Sequence, residues 1–310
     1  MVAIDLDGTL LQTESKTIAD VQAAYLKSLS QRGFQICIAT GRAASTVYEH
    51  LAKLETVEVV EPNESTTTDT NTNTTTTTTT IPVVCSNGAR GFSYLGRHGS
   101  NNSSATKELF SNPMPKDIAK DVITLCRNEG FAVQYYYQDD IYTDAYLDEH
   151  TKLTQEYMDY TGAYIHHVST DDLLTMLEEK NQLPSKILVY YDVQYTNTAP
   201  ELLERTFGSV ATVIKNPTPW FSEVLNPTVN KGKGLQNMCD HLGIDIEDCI
   251  AIGDGCNDLQ FLQMAGLGVA VKNAVDSLKE NADLVLEWTN DEHAVMKCLQ
   301  DLDANGQLRF

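Results

Sequence analysis

Val2-Ala3-Ile4-Asp5-Leu6-Asp7-Gly8-Thr9-Leu10, at the start of the chain, is the stretch that decides the fold. The apolar run from Val2 to Ile4 predicts the end of a buried strand. Asp5 and Asp7 leave this strand, and Gly8 allows a sharp turn after them. One carboxylate can attack phosphorus or carbon, while a second passes a proton to the leaving group. Taken alone, an Asp-Gly pair is more often a simple polar turn, so the remaining sequence has to decide between the two interpretations.

Three further segments carry the groups that phosphoryl transfer to an aspartate requires. They are Ile36-Cys37-Ile38-Ala39-Thr40-Gly41-Arg42, Asn230-Lys231-Gly232-Lys233-Gly234 and Cys249-Ile250-Ala251-Ile252-Gly253-Asp254-Gly255-Cys256-Asn257-Asp258. Together with the first stretch, and in this order, they resemble the four motifs of the haloacid dehalogenase superfamily. The similarity is greatest to Cof-type phosphatases, in which a large α+β cap is inserted between the second and third motifs. The resemblance extends over nearly the whole chain.

The resemblance implies catalysis through an aspartyl phosphate. Asp5 is interpreted as the nucleophile and Asp7 as the acid and base, which protonates the leaving alkoxide and then activates water. The family's Mg²⁺ site corresponds to the Asp5 carboxylate, the Asp7 backbone carbonyl and Asp254. These are the hard oxygen ligands that Mg²⁺ prefers.

The other motif residues are expected to hold the phosphate. We expect Thr40 to offer its hydroxyl and a free backbone N–H, and Gly41 to allow close backbone approach. Lys231 would place its ammonium between the phosphate and Asp5, and Asn257 would donate an amide hydrogen bond.

Several of these residues have a second interpretation. Thr40 also suits the cap of the next helix. Lys233 competes with Lys231, although at helical spacing it points elsewhere. Asp258 is expected to orient Lys231 or a metal-bound water, or else to be only an acidic residue at a helix N-terminus. For Arg42, a role behind the catalytic residues and a role as a surface charge are equally open.

The order of predicted elements places these motifs in one fold. Strands alternate with helices in the first and last parts of the chain, which predicts an α/β fold with a Rossmann-like, doubly wound parallel sheet. Ligands bind such sheets beyond the carboxyl ends of the strands. Asp5, Thr40 and Asp254 each follow a predicted strand, so we expect them to meet there.

The predicted domains follow a change in sequence character. Residues 1–91 and 218–310 form the expected catalytic core, and residues 92–217 form the expected α+β cap. Residues 63–80 are mostly threonine, cannot bury apolar area and are expected to be a disordered insertion.

Composition narrows the functional class. The net charge of −21 argues against nucleic acid as a partner, because a phosphate backbone needs clustered Lys and Arg. No apolar stretch reaches the roughly 18 to 20 residues that a membrane helix requires. Seven cysteines without a CxxC pair suit a reducing compartment, so a cytoplasmic location is expected. We also expect a few residues to be missing before Met1, so a location in an organelle stays open.

The sequence therefore predicts a magnesium-dependent phosphatase for small organic phosphate monoesters. A sugar phosphate is the first expected substrate, with pyridoxal phosphate or flavin mononucleotide behind it. The alternatives are a phosphomutase of the same superfamily and a non-catalytic protein that binds phosphorylated metabolites. Neither the substrate nor the oligomeric state is determined by the sequence.

Overall fold

The structure, a computed structural model, describes residues 1–60, 75–78, 80–98, 103–215 and 221–308. The strands of this part are β1 Val2–Ile4, β2 Ile36–Ala39, β3 Val57–Val60, β4 Thr75–Thr78, β5 Ile81–Cys85, β6 Arg90–His98, β7 Ser103–Ser111, β8 Ala132–Tyr137, β9 Asp140–Thr143, β10 Ile165–His167, β11 Lys186–Tyr190, β12 Thr212–Lys215, β13 Phe221–Leu225, β14 Ile250–Gly253, β15 Leu267–Ala270 and β16 Leu284–Val285. The α-helices are α1 Asp20–Gln31, α2 Tyr48–Leu54, α3 Lys116–Glu129, α4 Asp148–Thr161, α5 Thr170–Glu178, α6 Thr198–Phe207, α7 Lys231–Leu242, α8 Leu259–Met264, α9 Asp276–Lys279 and α10 Ala294–Ala304.

A mixed sheet forms the centre of the first domain. Its strand order is β16-β15-β14-β1-β2-β5-β6-β7, and the strands from β16 to β5 are parallel. Helix α1 packs against α2 and α10, whereas α7 packs against α8, so the helices fall into two packed groups. The α/β fold with a doubly wound, Rossmann-like parallel sheet is confirmed.

The far edge of this sheet corrects the predicted start of the cap at residue 92. That position lies inside β6, which pairs antiparallel with β5 and then with β7. The hairpin therefore extends the core sheet as far as Ser111. A hairpin that joins a parallel sheet has the same local signals as one that starts a new domain, so its sequence did not distinguish the two.

A second sheet forms the inserted domain, in the order β10-β9-β8-β11-β13-β12. Strand β13 lies between β11 and β12 and pairs antiparallel with both. Residues 221–225 therefore belong to the inserted domain, although the core was expected to resume at residue 218. The order of the sheet places the inserted domain between β7 and α7.

The expected disordered insertion at residues 63–80 is only partly described. Residues 75–78 form β4, which pairs antiparallel with β3, so disorder is the wrong prediction for these four residues. Threonine is β-branched and suits an extended strand, although a polar composition alone favours disorder. Residues 63–74 and 79 lie outside the described residues.

Each sheet buries its own hydrophobic core. The core of the first domain includes Ile4 and Ile38 from the sheet and Leu235 from α7. A separate cluster in the inserted domain joins Ile123 of α3 to Ile187 of β11. Among the helices in the described part of the chain, none has the length and apolar character needed to cross a membrane.

Candidate active site

Three adjacent strands bring the predicted motifs together. Strand β1 pairs in parallel with β2 on one side and with β14 on the other. Their carboxyl ends therefore deliver Asp5, Thr40 and Asp254 to the same edge of the sheet. A cleft of about 540 Å³ opens over this edge, and all three residues line it.

Lys231 lies between two aspartates, one of which, Asp5, lines the cleft. Its Nζ donates to Asp5 Oδ1 at 2.7 Å and to Asp258 Oδ1 at 2.5 Å. The lysine is buried, at 1% exposure, while Lys233 is exposed on the next part of α7. Burial opposes the charged form of Lys231, but Asp258 and Asp5 outweigh it and raise the lysine pKa. The structure thus places Lys231, and not Lys233, beside Asp5.

Asp258 anchors this arrangement. Its Oδ2 accepts the backbone N–H groups of Asp254 and Gly255, at 3.0 and 2.9 Å. Its other oxygen accepts from Lys231. Asp258 therefore fixes the loop that carries Asp254 and orients the lysine at the same time, which is the first of the roles expected for it.

A cluster of carboxylates is the candidate metal centre. Among the described residues, Asp5, Asp254 and Asp258 offer oxygens that all lie within 4.8 Å of one another. Burial raises the pKa of Asp5 well above its ordinary value, and the charges of Asp258 and Asp254 add to the shift although Lys231 opposes it. Burial and the Asp258 charge raise the pKa of Asp254 to about 6. Carboxylates held this close repel one another, and a divalent cation would relieve that repulsion.

Gly8 leaves room for Asp254. It has a φ of +76°, and a Cβ at this position would lie 2.3 Å from Asp254 Oδ2. Thr9 then donates its hydroxyl to Asp254 Oδ1 at 2.9 Å. The turn after Asp7 is therefore shaped around the Asp254 carboxylate.

Asp7 is paired with Arg42. The Arg42 Nε and Nη2 atoms donate to the two Asp7 oxygens, each at 2.7 Å. Arg42 is 6% exposed, and its Nη1 also donates to the Thr161 carbonyl of α4 at 3.4 Å. Tyr160 places its hydroxyl 3.5 Å from Asp7. Of the two interpretations left open for Arg42, the structure supports the position behind the catalytic residues.

One prediction for Thr40 is wrong. Its backbone N–H is not free, because it donates to the Val84 carbonyl of β5 at 2.8 Å. Thr40 directly follows β2, and the neighbouring strand of the sheet uses this donor. The Thr40 hydroxyl lies at the cleft and accepts the Arg42 N–H at 3.1 Å. Within the described residues the Gly41 N–H has no acceptor, so it is available to a ligand.

Asn257 also lines the cleft, where it is held by a residue outside the four motifs. Its Nδ2 donates to Asn87 Oδ1 at 2.9 Å. Asn87 belongs to the short turn Ser86-Asn87-Gly88 after β5, and its φ is +55°. An asparagine between a strand and a glycine was the available signal, since asparagine tolerates this conformation better than most residues.

The inserted domain supplies the upper wall of the cleft. Tyr157 and Tyr160 of α4 and Phe221 of β13 form an aromatic side. Glu156 and Lys215 add charged groups. None of these positions belongs to a readable motif, so the sequence identified the chemical groups on the floor but not this wall.

The chain is similar in sequence and in fold to known proteins. A family model described as haloacid dehalogenase-like hydrolase matches residues 2–299. The 5-amino-6-(5-phospho-D-ribitylamino)uracil phosphatase YitU of Bacillus subtilis is 27% identical over 307 residues, which cover 97% of this chain and 96% of that protein.

Solved structures share the fold. A protein of Thermotoga maritima, TM0651, is 23% identical with a TM-score of 0.73, and the match covers 97% of this chain and 96% of that one. A sugar phosphatase of haloacid dehalogenase subclass IIB, BT4131, is 20% identical with a TM-score of 0.72, over 97% and 98% of the two chains.

Proposed function

Because this chain belongs to the haloacid dehalogenase-like hydrolases and is a phosphatase like its named relatives, we propose that it hydrolyses small organic phosphate monoesters through an aspartyl phosphate on Asp5, with Mg²⁺ as cofactor. The convergence of Asp5 and Asp254 in one cleft, with Lys231 donating a hydrogen bond to Asp5, carries this proposal. Buried charges of this kind are costly unless they are paired or used.

Asp5 attacks the phosphorus atom, and the bond from phosphorus to the ester oxygen breaks. Lys231, 2.7 Å from Asp5 Oδ1, offsets the negative charge that nucleophile and phosphoryl group bring together. Because the transferred group carries most of the charge, holding it in line and compensating that charge supply most of the catalysis.

Asp7 gives its proton to the leaving alkoxide and then takes one from the water that attacks the aspartyl phosphate. In the structure both Asp7 oxygens accept hydrogen bonds from Arg42. Each oxygen keeps a second lone pair, which can carry the proton that is given to the leaving group.

The phosphoryl oxygens are held by the Thr40 hydroxyl, the Gly41 N–H and the Asn257 amide. All three residues line the cleft beside Asp5. Asn257 has a second amide hydrogen besides the one that it gives to Asn87. These donors contact the phosphoryl group and not the leaving group, so they serve every substrate alike.

The residues present suit Mg²⁺. Asp5 and Asp254 are hard oxygen donors whose neighbouring negative charges call for a cation. Both Asp258 oxygens are engaged by Lys231 and by backbone N–H groups. The proposed ligands are accordingly Asp5, Asp254 and the Asp7 backbone carbonyl. When bound, the ion would compensate the charge of the phosphoryl group.

The cleft favours a leaving group that contains a ring. The aromatic side formed by Tyr157, Tyr160 and Phe221 can pack against the face of a sugar or of a planar heterocycle. A sugar phosphate remains the first proposed substrate. A heterocyclic phosphate follows, such as pyridoxal phosphate, flavin mononucleotide or the ribitylaminouracil phosphate after which the Bacillus relative is named.

The two alternative functions have less support. A phosphomutase would return the phosphoryl group to the sugar, but the Bacillus relative is named as a phosphatase. A non-catalytic binding protein would have no use for the complete set of Asp5, Asp7, Lys231 and Asp254.

A phosphate-release screen tests the proposal. The full chain, stripped of metal by chelation, is incubated with a panel of sugar phosphates and heterocyclic phosphates, with and without added Mg²⁺. We expect release of inorganic phosphate only with Mg²⁺. Release that persists after chelation would contradict the metal assignment, and an isomerised sugar phosphate in place of free phosphate would favour the mutase.

A further inference from the structure

A buried polar chain connects the inserted domain to the phosphate-binding residues. It starts at Lys186 of β11 and Glu223 of β13, which lie on neighbouring antiparallel strands. Glu223 is paired with Leu188, two residues from Lys186, so both side chains lie on the same face of the second sheet. Neither residue belongs to the four motifs, and both line the cleft.

The contacts run without interruption from one domain to the other. Lys186 Nζ donates to Glu223 Oε2 at 3.0 Å and to the Gly41 carbonyl at 2.9 Å. Asn87 Nδ2 donates to the same Glu223 oxygen at 2.9 Å. Asn257 then donates to Asn87 Oδ1 at 2.9 Å. The chain ends at the two groups that we propose to contact the phosphoryl oxygens, Gly41 and Asn257.

Asn87 connects these two ends. Its backbone N–H donates to the Thr40 carbonyl at 3.1 Å. That carbonyl belongs to the same planar peptide unit as the Gly41 N–H and points in the opposite direction. The bond from Asn87 therefore fixes the direction of the Gly41 N–H, which has no acceptor among the described residues. The side chain also packs on Gly41, since a Cβ at residue 41 would lie 3.0 Å from Asn87 Oδ1.

Stability alone does not account for this ion pair. Lys186 is 1% exposed and Glu223 is 7% exposed. The cost of removing two charges from water commonly equals or exceeds their attraction, and a hydrophobic pair of similar volume is often as stable. Each charged group here has its partners within 3.0 Å. These contacts fix the positions of the two side chains more than they stabilise the fold.

We propose, on the premise that the chain is a phosphatase, that Lys186 and Glu223 are positioning residues through which the inserted domain aligns the phosphate-binding donors Gly41 and Asn257. The inserted domain then does more than enclose the leaving group. It also sets the affinity of the core for the phosphoryl group, which is the same in every substrate.

The test compares the double variant Lys186→Met/Glu223→Gln with Lys120→Met. The double variant removes the ion pair without leaving one charge buried alone. Lys120 lies on α3 of the inserted domain, is exposed, pairs with Glu178 at 2.5 Å and lies outside the lining of the cleft, so it is the matched control. We measure inhibition by inorganic phosphate, and kcat and KM with p-nitrophenyl phosphate and with one sugar phosphate, together with thermal unfolding.

We expect the double variant to bind inorganic phosphate about tenfold more weakly, which corresponds to the misalignment of one or two hydrogen bonds. Its kcat/KM should fall by a similar factor for both substrates. Lys120→Met should keep its phosphate inhibition within about twofold of the wild type, since an exposed ion pair contributes little.

Two results would overturn the proposal. One is a folded double variant with unchanged phosphate inhibition. The other is a loss confined to one of the two substrates, because the pair would then contact the leaving group. If the double variant does not fold, Glu223→Gln decides: an unchanged inhibition constant contradicts the proposal, and a weakened one supports it.

Failure of the proposed function is a separate outcome. If the wild type hydrolyses neither substrate, calorimetric titration with inorganic phosphate still compares the variants. Weaker binding in the double variant alone would support the positioning role without catalysis. Equal binding, or no binding by the wild type, would overturn that role.

Discussion

Replacing Gly8 with alanine tests whether the turn after Asp7 is built around the Asp254 carboxylate. An added Cβ would lie 2.3 Å from Asp254 Oδ2, whereas ordinary contact begins near 3.4 Å. The carboxylate would have to retreat by about 1 Å, and a displacement of that size in a catalytic site can lower the rate roughly hundredfold. Gly8 also has a φ of +76°, where alanine costs roughly 1–2 kcal/mol of stability.

Gly243→Ala separates these two effects. Gly243 ends α7 with a φ of +67°, and nothing lies within 4 Å of a Cβ added there. Both variants carry the backbone cost and the same change in the entropy of the unfolded chain. They differ in the contact with Asp254. We expect kcat/KM to fall about hundredfold in Gly8→Ala and to stay within about twofold of the wild type in Gly243→Ala.

The assay is steady-state phosphate release at several Mg²⁺ concentrations, with urea unfolding of both variants as the measure of stability. Because Asp254 is a proposed metal ligand, Gly8→Ala should also need more Mg²⁺ for half-maximal activity. A Gly8→Ala enzyme whose kcat/KM lies within threefold of Gly243→Ala would refute the reasoning. Lost activity with an unchanged Mg²⁺ requirement would locate the damage at Asp7 and not at Asp254.

Two further predictions concern the nucleophile and the inserted domain. Asp5→Asn should keep the circular dichroism spectrum of the wild type. Its kcat should fall below about a hundredth of the wild-type value, because an amide is a poor nucleophile. A larger residual rate would show that Asp5 is not the nucleophile. Exchange of residues 116–225 for the cap of a related phosphatase should change the ranking of substrates across a panel, because the aromatic side of the cleft is replaced. Grafted caps that carry a lysine and a glutamate at the positions of Lys186 and Glu223 should bind inorganic phosphate like the wild type. An unchanged substrate ranking would show that the core selects the substrate.

The sequence by itself determined the fold class and the groups on the floor of the cleft. An apolar run followed by Asp5 and Asp7, and another followed by Asp254, are local signals of buried strands that end in polar residues. Parallel strands present their carboxyl ends at one edge, so these groups were expected to meet. The helical spacing of α7 was also sufficient to prefer Lys231 over Lys233.

Tertiary structure decided the features that depend on pairing between distant segments. The register of the sheet places the Val84 carbonyl where it accepts the Thr40 N–H. The fold also brings Arg42 to both Asp7 oxygens. Neither contact has a local signal. The same holds for the hairpin of β6 and β7, which looks alike in sequence whether it extends the core sheet or begins another.

The polar chain from Lys186 to Asn257 is the clearest case. A lysine at the start of β11 and a glutamate inside β13 look like ordinary strand positions, and exposed charges are far more common than buried ones. They become a pair only when β11 and β13 are neighbours, and they reach Gly41 and Asn87 only when the second sheet lies over the first. Local sequence fixes the chemistry of each side chain, but strand order and domain packing determine which groups it meets.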